Sequence, residues 1–215
     1  MSYKFVSDIL PKDLWSLKCP HSMTPEFIVV HNTASDASAK NEIAYMRKND
    51  NSFTSYHYAV DDKEVRQAIP YNRNAYHAGD GKYGEGNRNG IGIEICYSKS
   101  GGKRFEKAEE NAAQFIAELL KTFGWGVDRV KKHQDFSDKY CPHRTLDLGW
   151  ERFISKVRGY MITELTEPND IVYELVSRGI VSDSDGMLKA MQAQPYGRLY
   201  WLARKAVHYI RKEGK

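Results

Sequence analysis

The chain has 215 residues, of which 41% are hydrophobic and 28% are charged, and its formal net charge is +4. These proportions are typical of a globular protein with one ordinary domain and a small appendage. No apolar run approaches the roughly 20 residues needed to cross a bilayer, so we expect no membrane insertion. The 32 lysine and arginine residues are spread along the chain rather than clustered, which argues against nucleic acid as a partner.

The first residues and the number of cysteines indicate the cellular compartment in which the chain is made. The opening segment MSYKFVSDILPKDLW lacks the basic start and apolar core of a secretory signal, so we expect synthesis in a cytoplasm without a signal peptide. Three cysteines, an odd number, argue in such a chain against a disulfide framework. At least one thiol is therefore free to bind a metal, and we expect Cys19 and Cys96 to pack in the core.

Short apolar runs alternate with amphipathic segments over the first 160 residues. Residues 27–31 (FIVVH) predict a buried strand with His31 at its exit. We predict further strands over 55–60, 64–69, 90–97 and 127–132, and helices over about 38–49 and 106–123. This alternation predicts an α/β fold, a mixed central β-sheet flanked by helices.

Two segments between these elements invite a functional interpretation. Residues 79–90 hold five glycines and predict a loop, which is either a connector or the rim of an extended groove. In the strand over 90–97, Ile91, Ile93 and Ile95 alternate with Gly92 and Glu94. A carboxyl group in such a strand is costly unless its charge is used, the alternative being an edge strand with one wet face.

The character of the sequence changes after Tyr160. Residues 163–168 (TELTEP) predict a linker, and three short helices are expected over roughly 169–178, 184–193 and 196–212. We therefore predict a first domain over 1–162 and a small all-helical domain over 163–215, which would be marginal alone.

The segment HQDFSDKYCPH over residues 133–143 carries the strongest chemical signal. A thiolate and neutral imidazoles are the ligands that zinc prefers, and a catalytic zinc has three protein ligands and one open position. Spacing nominates His133, Cys141 and His143, but it cannot choose among His31, His57 and His143 for the third place. A lysine two residues before the cysteine could stabilise negative charge that develops on a substrate oxygen.

Five motifs together resemble those of a known family. They are FIVVHNTA, SYHYAV, NAYHAG, GIGIEICYS and HQDFSDKYCPHR, which occur in the family's order over residues 22 to about 150. In these motifs the chain resembles the zinc-dependent N-acetylmuramoyl-L-alanine amidases of the phage-endolysin and peptidoglycan-recognition-protein type, the amidase type 2 family. The likeness is greatest to endolysins from phages of Gram-positive, spore-forming bacteria.

The resemblance implies a metal centre and two catalytic groups. His31, His133 and Cys141 match the three ligands of a Zn²⁺ cofactor. Glu94 matches the general base that acts on zinc-activated water, and Lys139 matches the lysine that polarises the scissile carbonyl.

The resemblance also implies roles for two groove residues. Tyr56 matches a tyrosine of the catalytic centre, to which we assign a supporting role because a glutamate is present, and His77 matches a histidine that lines the substrate groove. We expect His57 and His143 to be structural or to orient neighbouring residues.

The implied reaction is hydrolysis of the amide bond between N-acetylmuramic acid and L-alanine in bacterial peptidoglycan, after release of the protein through a holin-type lesion. One alternative is a cytoplasmic wall-recycling amidase that acts on soluble muropeptides. Others are a non-catalytic peptidoglycan-binding protein, which commonly lacks the cysteine, and a zinc-stabilised structural domain, which would need a fourth protein ligand.

Three roles are open for the helical domain: wall binding, self-association into a homo-oligomer, and packing that stabilises the amidase domain. Aromatic and basic side chains in the last predicted helix could face an anionic wall polymer. They are Tyr196, Arg198, Tyr200, Trp201, Arg204 and Lys205.

Overall fold

A computed structural model of the chain describes residues 3–48 and 53–161, together with isolated positions between 172 and 189. The chain divides into two compact units, Met1–Val157 and Arg158–Lys215. The boundary predicted after residue 162 stays a prediction. No helix among the described residues is both long enough and apolar enough to span a membrane.

A six-stranded sheet forms the centre of the first unit. Its strands are β1 (Lys4–Ser7), β2 (Phe27–Asn32), β3 (Tyr58–Val60), β4 (Glu64–Gln67), β5 (Gly90–Ile95) and β6 (Val130–Lys132). Their order across the sheet is β1-β4-β3-β5-β2-β6. The β3–β4 pair is antiparallel and the other pairs are parallel. The predicted mixed central sheet is confirmed.

Helices flank this sheet, as predicted. They are α1 (Trp15–Lys18), α2 (Ala39–Met46), α3 (Glu85–Asn89), α4 (Gly102–Phe123), α5 (His143–Asp147) and α6 (Trp150–Met161), with single 3₁₀ turns over Lys12–Leu14, Val127–Arg129 and His133–Asp135. Helix α4 buries an apolar stripe at helical spacing and ends at Gly124, whose φ of +68° favours glycine.

The two central strands owe their position to their apolar content. Every residue of β2 is buried, and β2 lies between β5 and β6. The isoleucines of β5 are fully buried, and β5 lies between β3 and β2. The alternative of an edge strand around Glu94 is therefore wrong, because both neighbours of β5 are strands.

Several predicted boundaries differ from those observed. The strand predicted over 55–60 begins at Tyr58, and the helix predicted over 106–123 begins earlier, at Gly102. The segment 79–90, predicted as a loop, contains α3 with Asn87 buried inside it. Strand β1 was not predicted, because three of its four residues are exposed and the fourth is only half-buried, so it shows no apolar pattern.

A buried ion-pair network joins α4 to α6 within the first unit. The carboxylate of Glu109, which is 1% exposed, accepts two hydrogen bonds of 2.7 Å from Arg152 and one of 3.1 Å from Lys156. A buried carboxylate needs such partners, since an unpaired charge inside a protein is costly.

The second unit is described at few positions. Residues 172, 175, 176, 185–187 and 189 are helical, and Val172 and Leu175 are buried. The helices predicted over 169–178 and 184–193 are thus described only in part. The helix predicted over 196–212, with its aromatic and basic residues, lies outside the described residues.

Candidate metal centre and active site

The register of the parallel strands brings His31 and Glu94 together. His31 lies near the carboxyl end of β2, and its Cα partner on β5 is Glu94. Paired residues on neighbouring strands project from the same face of a sheet. The two side chains therefore emerge side by side, although 62 intervening positions separate them in the chain.

Strand β6 brings the second histidine to the same place. Val30 pairs with Lys132, so His133, the next residue, follows beside His31. The segment then returns, and the Gln134 amide donates to the Cys141 carbonyl at 3.0 Å. This bond holds the Cys141 side chain against the two imidazoles.

The three predicted ligands form one compact group. His31 Nδ1 lies 2.9 Å from His133 Nδ1 and 3.9 Å from Cys141 Sγ. The three donor atoms all lie within 4.8 Å of one another, and all three residues are buried. Two ligands of one tetrahedral zinc are separated by about 3.3–3.6 Å, given Zn–N near 2.0–2.1 Å and Zn–S near 2.3 Å. The arrangement is thus close to that of a zinc site.

Burial determines the protonation of these ligands. It holds the pKa of His31 well below its usual value and lowers the pKa of His133 to about 4, so both imidazoles are neutral at pH 7. Burial also raises the pKa of the Cys141 thiol to about 11, with the charge of Glu94 as a second cause. Burial thus favours the uncharged form of all three groups, and a bound cation would favour the thiolate.

The donor set fits a catalytic metal better than a structural one. Two imidazoles and one sulfur are ligands that zinc accepts, and among the described residues the group has three members. A fourth position is therefore left for water or substrate.

Glu94 is a half-buried residue beside this centre, and its Oε2 atom is buried. Burial, together with the negative charge of Glu42, raises its pKa to about 8, while the positive charge of Lys139 opposes the shift. Its Oε2 atom has no hydrogen-bond partner. The buried hydroxyl of Tyr56 also has none, and after burial the charge of Glu94 is the main cause of its raised pKa. An acid with a pKa near neutrality can both accept and return a proton.

A cavity of about 990 Å³ opens beside the metal centre. Its lining includes three residues predicted for the site: His77, His133 and Lys139. His21, Tyr76 and Lys82 also line it, whereas Tyr56 and Glu94 are not among the lining residues. Lys139 is exposed, so its ammonium group can reach a molecule in the cavity. The basic character of the lining suits an anionic ligand.

The remaining predicted histidines are held by internal hydrogen bonds. His77 Nδ1 lies 3.1 Å from His31 Nε2, and His77 Nε2 lies 3.1 Å from the Gly90 carbonyl oxygen. His57 Nδ1 accepts from the Gly92 amide at 2.9 Å, and His143 bonds to the Ser98 carbonyl at 3.2 Å. Spacing had nominated His143 as a ligand, but the structure places His31 in the group instead.

Sequence reasoning missed three residues that shape the site. Asn87 Oδ1 accepts from the amides of His77 and Ala78 at 2.7 and 2.8 Å. Gly92 lies beneath the His77 ring, and Glu42 acts on Glu94 through its charge. The sequence signals were weak, since Asn87 lay in a presumed loop and Gly92 was read only as part of an alternating strand.

Comparison with known proteins decides the family. A family model described as N-acetylmuramoyl-L-alanine amidase matches residues 21–144, which is more than half of the chain. The chain belongs to this amidase family. The matched segment contains all three members of the metal-binding group as well as Glu94 and Lys139.

Curated relatives support the same amidase family. The chain is 60% identical over 149 residues to the N-acetylmuramoyl-L-alanine amidase CwlA of Bacillus subtilis strain 168, covering 69% of this chain and 54% of CwlA. It is 57% identical over 153 residues to the amidase XlyB of that strain, covering 71% of this chain and 48% of XlyB. The chain thus spans about half the length of the curated relatives that it matches.

A solved structure of a catalytic domain shares the fold. The solution structure of the PlyG catalytic domain superimposes with a TM-score of 0.70 and is 45% identical. The superposition covers 75% of this chain and 98% of that domain. Nearly the whole PlyG domain therefore corresponds to about three quarters of this chain.

Proposed function

We propose that the chain hydrolyses the amide bond between N-acetylmuramic acid and L-alanine in peptidoglycan. One observation carries the proposal: His31, His133 and Cys141 converge within 4.8 Å beside Glu94, at the edge of a large cavity that Lys139 lines. The amidase family and the names of CwlA and XlyB support the same reaction.

We propose that Zn²⁺ is the metal held by this group. Neutral imidazoles and a thiol that becomes a thiolate on binding are ligands suited to zinc, and magnesium or calcium would select oxygen ligands instead. Zinc bound there would act as a Lewis acid on the attacking water and on the scissile carbonyl. A structural zinc is disfavoured, because the described residues supply three members to the group and not four.

Glu94 and Lys139 would perform the proton transfer and the charge stabilisation. The carboxyl group of Glu94, with its pKa raised to about 8, would accept a proton from the attacking water and return it to the leaving amide nitrogen. The exposed ammonium group of Lys139 would stabilise negative charge on the carbonyl oxygen. Tyr56 would support Glu94 from nearby, because burial and the charge of Glu94 raise the pKa of the Tyr56 hydroxyl and keep it protonated.

The cavity is suited to a peptide stem that carries carboxylates. Lys82 and Lys139 contribute positive charges to the lining. A volume of about 990 Å³ exceeds the need of a single amino acid and can accept a muramoyl peptide. Bacterial peptidoglycan is therefore the proposed partner, and wall recycling of soluble fragments is the enzymatic alternative.

The proposal also covers the biological setting of the reaction and the role of the second domain. The five sequence motifs resemble those of phage endolysins, which favours phage lysis with release through a holin-type lesion. We propose that residues 163–215 bind the wall through an anionic polymer. Self-association and simple packing are the alternatives.

Incubation of the full chain with walls from several Gram-positive genera tests the reaction. New N-terminal alanine and new reducing sugar are measured with and without a chelator, and soluble muropeptides serve as a second substrate. The proposal expects new N-terminal alanine whose appearance is abolished by chelation. Reducing ends without new N-terminal alanine would indicate a glycosidase, and activity restricted to soluble fragments would favour wall recycling.

A further inference from the structure

We propose that His77 is a positioning residue that fixes the tautomer of His31, so that the Nδ1 lone pair of His31 faces the metal position. The inference rests on the proposed function only in requiring a metal at the His31–His133–Cys141 group. It gives His77 a different role from contact with the substrate.

The Gly90 carbonyl determines the tautomer of His77. A carbonyl oxygen only accepts hydrogen bonds, and it lies 3.1 Å from His77 Nε2. His77 Nε2 must therefore carry the proton. In the neutral ring Nδ1 is then an acceptor, and this acceptor lies 3.1 Å from His31 Nε2.

The acceptor on His77 in turn determines the tautomer of His31. Bonding to it requires the proton of His31 to be on Nε2, which leaves a lone pair on Nδ1. This is the atom that lies 2.9 Å from His133 Nδ1 and 3.9 Å from Cys141 Sγ. The chain from Gly90 through His77 to His31 thus presents the correct atom of His31 before any metal arrives.

The position of the His77 ring is determined by its surroundings. A Cβ atom on residue 92 would lie 2.6 Å from His77 Cδ2, so only glycine leaves room for the ring against β5. Asn87 holds the backbone of His77 through the amides of residues 77 and 78. His57 binds the Gly92 amide and holds that part of the strand.

The second imidazole ligand lacks this support. His133 Nε2 is buried and has no hydrogen-bond partner among the described residues, whereas His31 Nε2 has one. His77 is among the residues that line the cavity, but both of its ring nitrogens already have hydrogen-bond partners. It therefore has no polar atom left to offer to a substrate.

Zinc affinity of the full chain tests the inference, measured by competition with a chromophoric chelator. His77→Phe keeps an aromatic ring but removes the acceptor, and it is expected to weaken zinc binding about 10- to 100-fold. His77→Asn restores an acceptor oxygen near the Nδ1 position and is expected to recover most of that loss. Ile116→Ala, a fully buried change on α4, is the control for lost stability and is expected to leave zinc affinity unchanged.

Gly92→Ala provides an independent variant. It removes no ligand and no hydrogen-bonding side chain, yet the added methyl group must displace the His77 ring. It is expected to weaken zinc binding in the same direction as His77→Phe.

Histidine ¹⁵N spectra of the metal-free wild-type chain give a readout that a packing role would not affect. We expect His31 to be present as a single tautomer, protonated on Nε2, and to become a mixture in His77→Phe. Wild-type zinc affinity in a folded His77→Phe, no recovery in a folded His77→Asn, or a wild-type His31 protonated on Nδ1 would each overturn the inference. Failure of the wild-type chain to bind zinc would instead overturn the proposed function as well.

Discussion

Burial sets the chemical state of each side chain at the metal centre. His31 and His133 are neutral because burial lowers the pKa of both, and the Cys141 thiol keeps its proton because burial raises its pKa to about 11. A site with no charge of its own can be buried at low cost. A bound cation would offset the cost of releasing the thiol proton, because the resulting thiolate is a negatively charged ligand for it.

A variant of Lys139 should lower turnover without weakening metal binding. Lys139→Ala removes a charge that stabilises the oxygen of the tetrahedral intermediate, so kcat should fall about 10²-fold or more. Zinc affinity should change little, because Lys139 is exposed and is not one of the three ligands. Steady-state kinetics on muropeptides and chelator competition measure the two effects.

Lys82→Ala is the matched control, because Lys82 is a second cation that lines the same cavity. It should affect KM more than kcat, since its charge can act only on binding of the substrate. Equal losses of kcat in the two variants would contradict the role assigned to Lys139.

The residues of the metal centre could be predicted only in part from local patterns. The segment around Cys141 indicated a zinc site. Its spacing could not decide whether His31, His57 or His143 is the third ligand, because that ligand comes from a different strand. The family resemblance selected His31, and the structure places it within the group. The resemblance said nothing of Asn87 or Gly92, whose effects arise from tertiary contacts with His77.

At the scale of elements, the register of the strands determines where the site residues lie. Strands β2 and β5 were predictable because continuous or alternating apolar residues fill them, and α4 was predictable from its helical spacing. Strand β1 and helix α3 were not predictable. Each is short, and α3 depends on the side-chain hydrogen bonds of Asn87 rather than on an apolar face.

Asp8 ties three elements together and predicts a pH-dependent stability. It follows β1 and accepts hydrogen bonds from Arg66 on β4, at 2.7 Å, and from Arg47 at the end of α2. Burial alone would raise the pKa of Asp8, but the two arginines outweigh it and hold the pKa below its usual value. The resulting stabilisation is complete above the unfolded-state pKa of about 3.9 and is lost as the pH falls through the lower folded-state pKa.

Asp8→Asn should therefore lower the free energy of unfolding by about 1 kcal/mol at pH 7. The difference from wild type should shrink at about pH 3, where Asp8 of the wild type begins to be protonated. Urea unfolding at both pH values measures it. Asp128→Asn, at an exposed pair with Arg129, is the control and should change little at either pH. An equal loss at pH 7 and pH 3 would contradict the assigned role of the carboxylate.

At the scale of the whole molecule, the proposed catalytic features lie in one unit. The metal-binding group, Glu94 and the cavity all belong to Met1–Val157, and the PlyG catalytic domain superimposes on a similar share of the chain. The remaining residues are thus available for a second role. Their composition predicted helices, but a sequence pattern alone does not identify the ligand of a small helical domain.

A truncation separates the two units. A fragment over residues 1–162 should hydrolyse soluble muropeptides as fast as the full chain, because the complete site is retained. Its binding to intact walls in a sedimentation assay should fall about tenfold or more, as expected when a second binding module is removed. Unchanged wall affinity of a folded fragment would exclude wall binding by residues 163–215.

Metal stoichiometry tests the central claim most directly. Equilibrium dialysis of the full chain against zinc, followed by elemental analysis, should give one tightly bound ion in the wild type. Cys141→Ser and His133→Ala should each lose that ion, whereas His143→Ala should keep it, because His143 is not part of the group. Retention of a full equivalent of zinc in a folded Cys141→Ser, or no zinc in the wild type, would contradict the account.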